Sequence, residues 1–154
     1  MRTLMIAVPV ILLLLTTGVT LMQDTAPANL THQFIINFPG QRKDSLFEKI
    51  LKWMENNLRS PRPVIEKEDL ETGTIAGNGV TEMRAEGDTV DVRLAFVFRV
   101  DVRDGKARFR FTNLEVSPDE ESGWDPMPED TTWHRPAQVK FTAMIGRLTE
   151  YVNK

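Results

Sequence analysis

Six basic side chains recur between residues 93 and 110: Arg93, Arg99, Arg103, Lys106, Arg108 and Arg110. Guanidinium groups present a planar fork of donors that matches phosphate and carboxylate oxygens. The series is therefore a candidate surface for an acidic partner, such as a phosphate group or an anionic polymer. Asp91, Asp101 and Glu115 interleave with it. A solvated strand face with cross-strand ion pairs, each worth only ~0–1 kcal/mol, accounts for the same pattern and is the favoured reading. A second group, Trp124, Trp133 and His134, lies in the acidic, proline-containing stretch SPDEESGWDPMPEDTTWHR, residues 117–135. Its indoles either grip a sugar or a protein partner or fold back over the open end of a core. Asp119, Glu120, Glu121, Asp125, Glu129 and Asp130 are candidate Ca²⁺ ligands. They lack the alternating spacing and central glycine of an EF-hand loop, so a solvated charge run is the better description. Gly77-Asn78-Gly79 resembles a phosphate-cradling loop only superficially, because no helix start follows it.

What is missing narrows the chemistry. The chain has no cysteine, hence no disulfide, thiolate ligand or thiol nucleophile. Its histidines are His32 and His134, so a zinc site would have to lean on carboxylates. No serine lies at a recognisable motif spacing from His134, which leaves a catalytic triad without support. A net charge of −3 argues against a domain that works by neutralising nucleic-acid phosphates. The expectation is a non-catalytic domain with no metal, no cofactor and no catalytic residues, its binding residues unassigned. A hydrolase built on Asp125 or Glu129 ranks a distant third.

The elements that position these residues follow from hydrophobic period. Residues 29–38 alternate as a strand, ended by Pro39-Gly40. Lys43 to Leu58 is predicted to be a helix with Leu46, Ile50, Trp53, Met54 and Leu58 on one stripe, capped by Asp44 or Ser45. Ser60-Pro61-Arg62-Pro63 stops it. Strands are predicted at 63–69, 74–83, 89–102 and 106–116. An Asp104-Gly105 turn sets Val102 opposite Ala107, Val100 opposite Phe109 and Phe98 opposite Phe111; on the other face Asp101 meets Arg108 and Arg99 meets Arg110. A Gly87-Asp88 turn sets Met83 against Val92, Gly79 against Phe96 and Gly77 against Phe98, with a longer loop left open. Pro136 suits the first turn of a final helix reaching about Val152. The order is β-α-β-β-β-β-α, an α+β class: one antiparallel sheet with both helices on one face.

Residues 3–22 carry no charge and follow Arg2. They form either a secretory signal or an uncleaved anchor, since a membrane helix needs ~20 apolar residues. Cleavage could follow Gly18 or Ala28. The division is thus 1–28 as signal peptide or N-terminal anchor and 29–154 as one domain. Both readings export the domain to the periplasm or cell envelope, facing away from the cytoplasm.

The segments KDSLFEKILKWMENNL (43–58), VIEKEDLETGTIAGNG (64–79) and VDVRLAFVFRVDVRDGKARFRFTNLEV (90–116) resemble the family described as a bacterial domain of unknown function with TBP-like fold, found in exported proteins. The pattern is a helix, an acidic turn ending in glycine, and a Gly-x-Gly strand. The likeness covers roughly residues 30–152 and leaves out the acidic loop. It implies the fold and the export, but no catalytic or binding residues, and it does not imply DNA binding. Two functions of different class follow. One is an exported envelope domain that binds an envelope protein or other partner. The other is a carrier of small apolar ligands, with Phe96, Phe98, Phe109, Phe111 and Met144 lining a helix-grip cavity. Membrane contact arises only if residues 3–22 stay uncleaved, and no nucleic acid is expected.

Overall fold

The computed structural model describes residues 31–60 and 63–154. The apolar segment 3–22, both cleavage points and residues 29–30 of the first predicted strand lie outside the described residues. The elements are β1 (His32–Asn37), α1 (Lys43–Asn57), β2 (Ile65–Asp69), β3 (Thr74–Met83), β4 (Val92–Arg103), β5 (Lys106–Ser117), β6 (Asp125–Pro126) and α2 (Thr131–Val152). The strands form one antiparallel sheet in the order β1-β5-β4-β3-β2, with the short β6 added beside β5.

One side of the sheet is roofed by both helices. Leu46, Ile50, Trp53 and Met54 of α1 share a single buried cluster with Phe141, Met144, Ile145, Leu148 and Val152 of α2, and with Phe98, Val100 and Phe109 of the sheet. The phenylalanines pack against each other. The rings of Phe111 and Phe141 stack at 4.2 Å and 3°, and Phe96 meets both edge-on at 5.5 and 5.2 Å. Such offset and T-shaped pairs add ~0.5–1.5 kcal/mol beyond area burial. Lys49 donates through Nζ to the Val152 carbonyl at 2.9 Å, placing a cation at the C-terminus of α2 and tying the helices together.

Both predicted registers hold. Val102 pairs with Ala107, Val100 with Phe109, Asp101 with Arg108, and Arg99 with Arg110. Met83 pairs with Val92, Gly79 with Phe96, and Gly77 with Phe98. The ladder does not run up to a two-residue turn, however. Residues 84–91 leave it, because Ala85 is buried and the Glu86 N–H donates to the Thr132 carbonyl of α2 at 2.9 Å.

Local chemistry departs from expectation at three further places. The first turn of α1 is not capped by Asp44 or Ser45. Its Lys43 N–H is taken by Asp104 Oδ1 at 2.7 Å, so the β4–β5 turn supplies the cap from across the molecule. Asn113 adopts φ +50°, a conformation asparagine tolerates, and inserts a bulge opposite β4. Odd residues of β5 face the core before it (Phe109, Phe111) and even ones after it (Leu114, Val116). Finally, α2 begins at Thr131, well ahead of Pro136, which lies inside the helix. Proline removes the donor for the carbonyl four residues earlier, here Thr132. That carbonyl is the one Glu86 satisfies.

The Gly-x-Gly of β3 is structural. A Cβ on Gly77 would lie 1.7 Å from the Val64 carbonyl oxygen, and one on Gly79 would lie 2.4 Å from the Phe96 ring. What these glycines admit is the start of β2 and an aromatic ring. Gly77→Ala is therefore expected to cost ~1–3 kcal/mol or more in urea unfolding, as overpacking against backbone does. Gly123→Ala, where a Cβ meets nothing within 4 Å, should stay within about 0.5 kcal/mol of the parent.

Candidate functional site

The side of the sheet away from the helices carries the basic series. Cross-strand pairing places it in rows: Ile35, Arg108, Asp101 and Thr74 form one, and Gln33, Arg110, Arg99 and Ala76 the next. Arg103 and Lys106 close the end beside the β4–β5 turn. Asp101 is the hub. Its Oδ1 accepts from Arg99 Nε at 3.0 Å, and its Oδ2 accepts from Arg108 Nη2 at 2.9 Å and Arg110 Nη2 at 3.1 Å. Burial pushes the Asp101 carboxyl up. Hydrogen bonds from Arg99 and Arg108, with the charges of Arg99 and Arg110, outweigh that and hold it below the ordinary aspartate range.

One carboxylate thus organises three guanidiniums, and Arg103 and Lys106 lie nearby without an ion pair among the described residues. The surface is locally cationic on a chain whose net charge is −3. Two donors on this side, Arg110 Nε and Asn78 Nδ2, are buried and have no hydrogen-bond partner. Buried donors ordinarily find an acceptor. A depression of about 200 Å³ on this side is lined by Ile35, Asp101, Arg103, Lys106, Ala107 and Arg108. Chemically, the arrangement can hold carboxylate or phosphate oxygens on a shallow surface.

Arg93 stands apart from this cluster. Its guanidinium sits 4.8 Å above the Trp124 ring and donates to the Asp119 carbonyl at 3.2 Å. The acidic stretch is ordered by its own bonds. Asp119 Oδ1 accepts from the Glu121 and Ser122 N–H groups, and the bonds from Ser122 and Glu121 hold its carboxyl below the usual range. Met127 is buried and donates its N–H to the Leu114 carbonyl at 2.9 Å. Trp133 packs on the core cluster, whereas Trp124 is half-buried against Arg93. Asp125 and Glu129 are exposed. Among the described residues no three His, Asp or Glu side chains gather as a metal site. An open groove of about 1130 Å³ runs between α2 and the β3–β4 strands, lined by Arg59, Arg93, Lys140, Met144 and Arg147 together with Glu82, Asp91 and Asp119.

One pairing has no sequence signal. His32 of β1 and His134 of α2 stack with ring centroids 5.7 Å apart, and His32 also meets Phe141 at 5.3 Å. His32 Nε2 and both His134 ring nitrogens are buried without hydrogen-bond partners.

A two-sided sheet of this kind, helices on one face and strands open on the other, defines an α+β domain of the TBP-like class. The chain belongs to the family described as a domain of unknown function (DUF4468) with TBP-like fold, whose match spans residues 32–117. Those residues run from β1 to the end of β5 and include the whole basic series, while Trp124, Trp133 and His134 lie beyond. The structure is similar to that of a DUF4468 family protein from Bacteroides ovatus, at 15% identity and TM-score 0.53 over 77% of this chain and 79% of that one. It is also similar to a TBP-like protein from Parabacteroides distasonis, at 10% identity and TM-score 0.62 over 82% of this chain and 94% of that one. At such identities the likeness concerns the fold. No curated protein matches the sequence.

The His32–His134 contact carries a pH dependence. Burial first, and the neighbouring His134 second, lower the His32 pKa from its ordinary 6.5. The unfolded chain then binds a proton more readily than the folded one once the pH drops below about 6.5, so this contribution to stability is complete above that value and is lost as acid is added. Urea midpoints should fall between pH 7 and 5.5, and His32→Phe should flatten that segment of the profile. An unchanged slope in His32→Phe would remove the contact as its cause.

Proposed function

We propose that this is a non-catalytic binding domain of the cell envelope, and that it holds an acidic protein surface on the open face of its sheet. The observation that carries the reading is the convergence of Arg99, Arg108 and Arg110 on the single carboxylate of Asp101. Opposed arginines repel unless anionic charge lies close, and here one carboxylate serves three of them. The shallow form of the surface suits a macromolecular partner, since small-ligand sites are concave and of ~300–1,000 Å³. Support for export, to the periplasm or envelope, is the uncharged apolar run of residues 3–22 behind Arg2. The carrier reading gains less. Phe96, Phe98, Phe109 and Phe111 are fully buried in the core cluster, and the Phe96 and Phe111 rings pack on each other and on Phe141 of α2.

Immobilised polyglutamate provides the test. The domain, though acidic overall, should be retained at low ionic strength and released by salt, as a screened charge interaction requires. Arg99→Glu/Arg108→Glu should weaken retention ~tenfold or more, equivalent to about 1.4 kcal/mol. Asp101→Asn, which frees the guanidiniums, should strengthen it. Equal retention of all three proteins, or tighter binding to duplex DNA than to polyglutamate, would overturn the reading.

A further inference from the structure

The two edges of the sheet differ in kind. The β2 edge is blunted: Glu66, Lys67, Glu68 and Asp69 crowd it, and its pairing with β3 shifts register between Ile65 and Lys67. Charges and bulges of this sort are how native sheets prevent edge-to-edge pairing. The β1 edge has neither device. HQFIIN contains no charged residue and no proline, and its six residues pair with β5 in unbroken register.

The phase of β1 is fixed by the Phe38 N–H, which donates to the Gly105 carbonyl at 2.7 Å. Hydrogen-bonded pairs alternate along an antiparallel ladder. His32, Phe34 and Ile36 therefore turn their backbone groups toward β5, and Gln33, Ile35 and Asn37 turn theirs outward, with no partner among the described residues. Ile35 is 60% exposed at the middle of this edge.

We infer that the β1 edge is a self-association surface whose partner is a second copy of this chain, joined antiparallel about a two-fold axis at Ile35. The fit is self-complementary. With Ile35 opposite Ile35, Gln33 falls opposite Asn37 and Phe34 opposite Ile36. Every outward N–H and C=O of these residues finds a partner. Ile35 meets Ile35 on the open face, the half-buried Phe34 and Ile36 cover each other on the helix face, and the polar pair is amide on amide. No like charges meet directly at the seam. Isologous pairing of one patch with itself closes as a dimer instead of growing a fibre. A seam of one short strand belongs to the small, transient class of interfaces, so the dissociation constant should be on the order of micromolar. The inference goes beyond the proposed acidic partner and does not depend on it, since none of the arginines takes part in the pairing.

The chain lacks cysteine, so Ile35→Cys places one thiol at the proposed axis. A short bifunctional thiol reagent should convert full-length Ile35→Cys, in detergent, to a covalent dimer at micromolar concentration, and Glu68→Cys on the β2 edge should stay monomeric. In sedimentation, the parent chain should show a concentration-dependent dimer. Ile35→Lys should lose it while keeping its far-UV circular dichroism, because the exposed position tolerates the change. No covalent dimer of Ile35→Cys, equal crosslinking at Glu68→Cys, or a parent chain that stays monomeric at high concentration would each overturn the inference.

Discussion

A sheet covered on one side must sort its residues with a period of two, and every other feature of this domain depends on that sorting being enforced at the Phe96–Phe111–Phe141 cluster. The stacked Phe111 and Phe141 rings join β5 to α2, and Phe96 of β4 wedges edge-on against both. A slip of one residue in either strand would carry these rings to solvent and the arginines into the core. Desolvating even one guanidinium costs far more than any surface pairing returns. Burial of the rings and display of the basic side chains are therefore two results of one constraint.

That link explains why so much of the architecture is legible in the residue pattern. The alternation Leu94-x-Phe96-x-Phe98-x-Val100-x-Val102 identifies the buried side of β4, and Asp104-Gly105 fixes where β5 must pair. Arg99 opposite Arg110 and Asp101 opposite Arg108 follow from the same register. The hub around Asp101 does not follow, because Arg99 reaches it along its own strand and Arg110 diagonally from β5, through side-chain length and not through pairing. The bulge at Asn113 does have a signal, the shift from Phe109-x-Phe111 to Leu114-x-Val116, but it is visible only when the strand is not treated as uniform.

Other features stay hidden because their cause is tertiary. The cap on α1 is a carboxylate from the β4–β5 turn, not a neighbour in sequence. The contact between His32 and His134 requires knowing that α2 starts over β1. The acidic stretch from 117 looks like an open loop on composition alone, yet it pairs through β6, buries Met127 and passes into α2 before its proline. In each case a partner distant along the chain overrides a local preference.

Pro136 has one consequence for the order of assembly. The Thr132 carbonyl it leaves free is satisfied by the amide of Glu86, which reaches α2 only once β3 and β4 have come together. The opening turn of α2 can complete its hydrogen bonding only after that non-local loop has closed, and closure of such loops is what slows folding. Nucleation is thereby directed toward the apolar stripe from Phe141 to Val152, and the segment bearing Trp133 and His134 docks late.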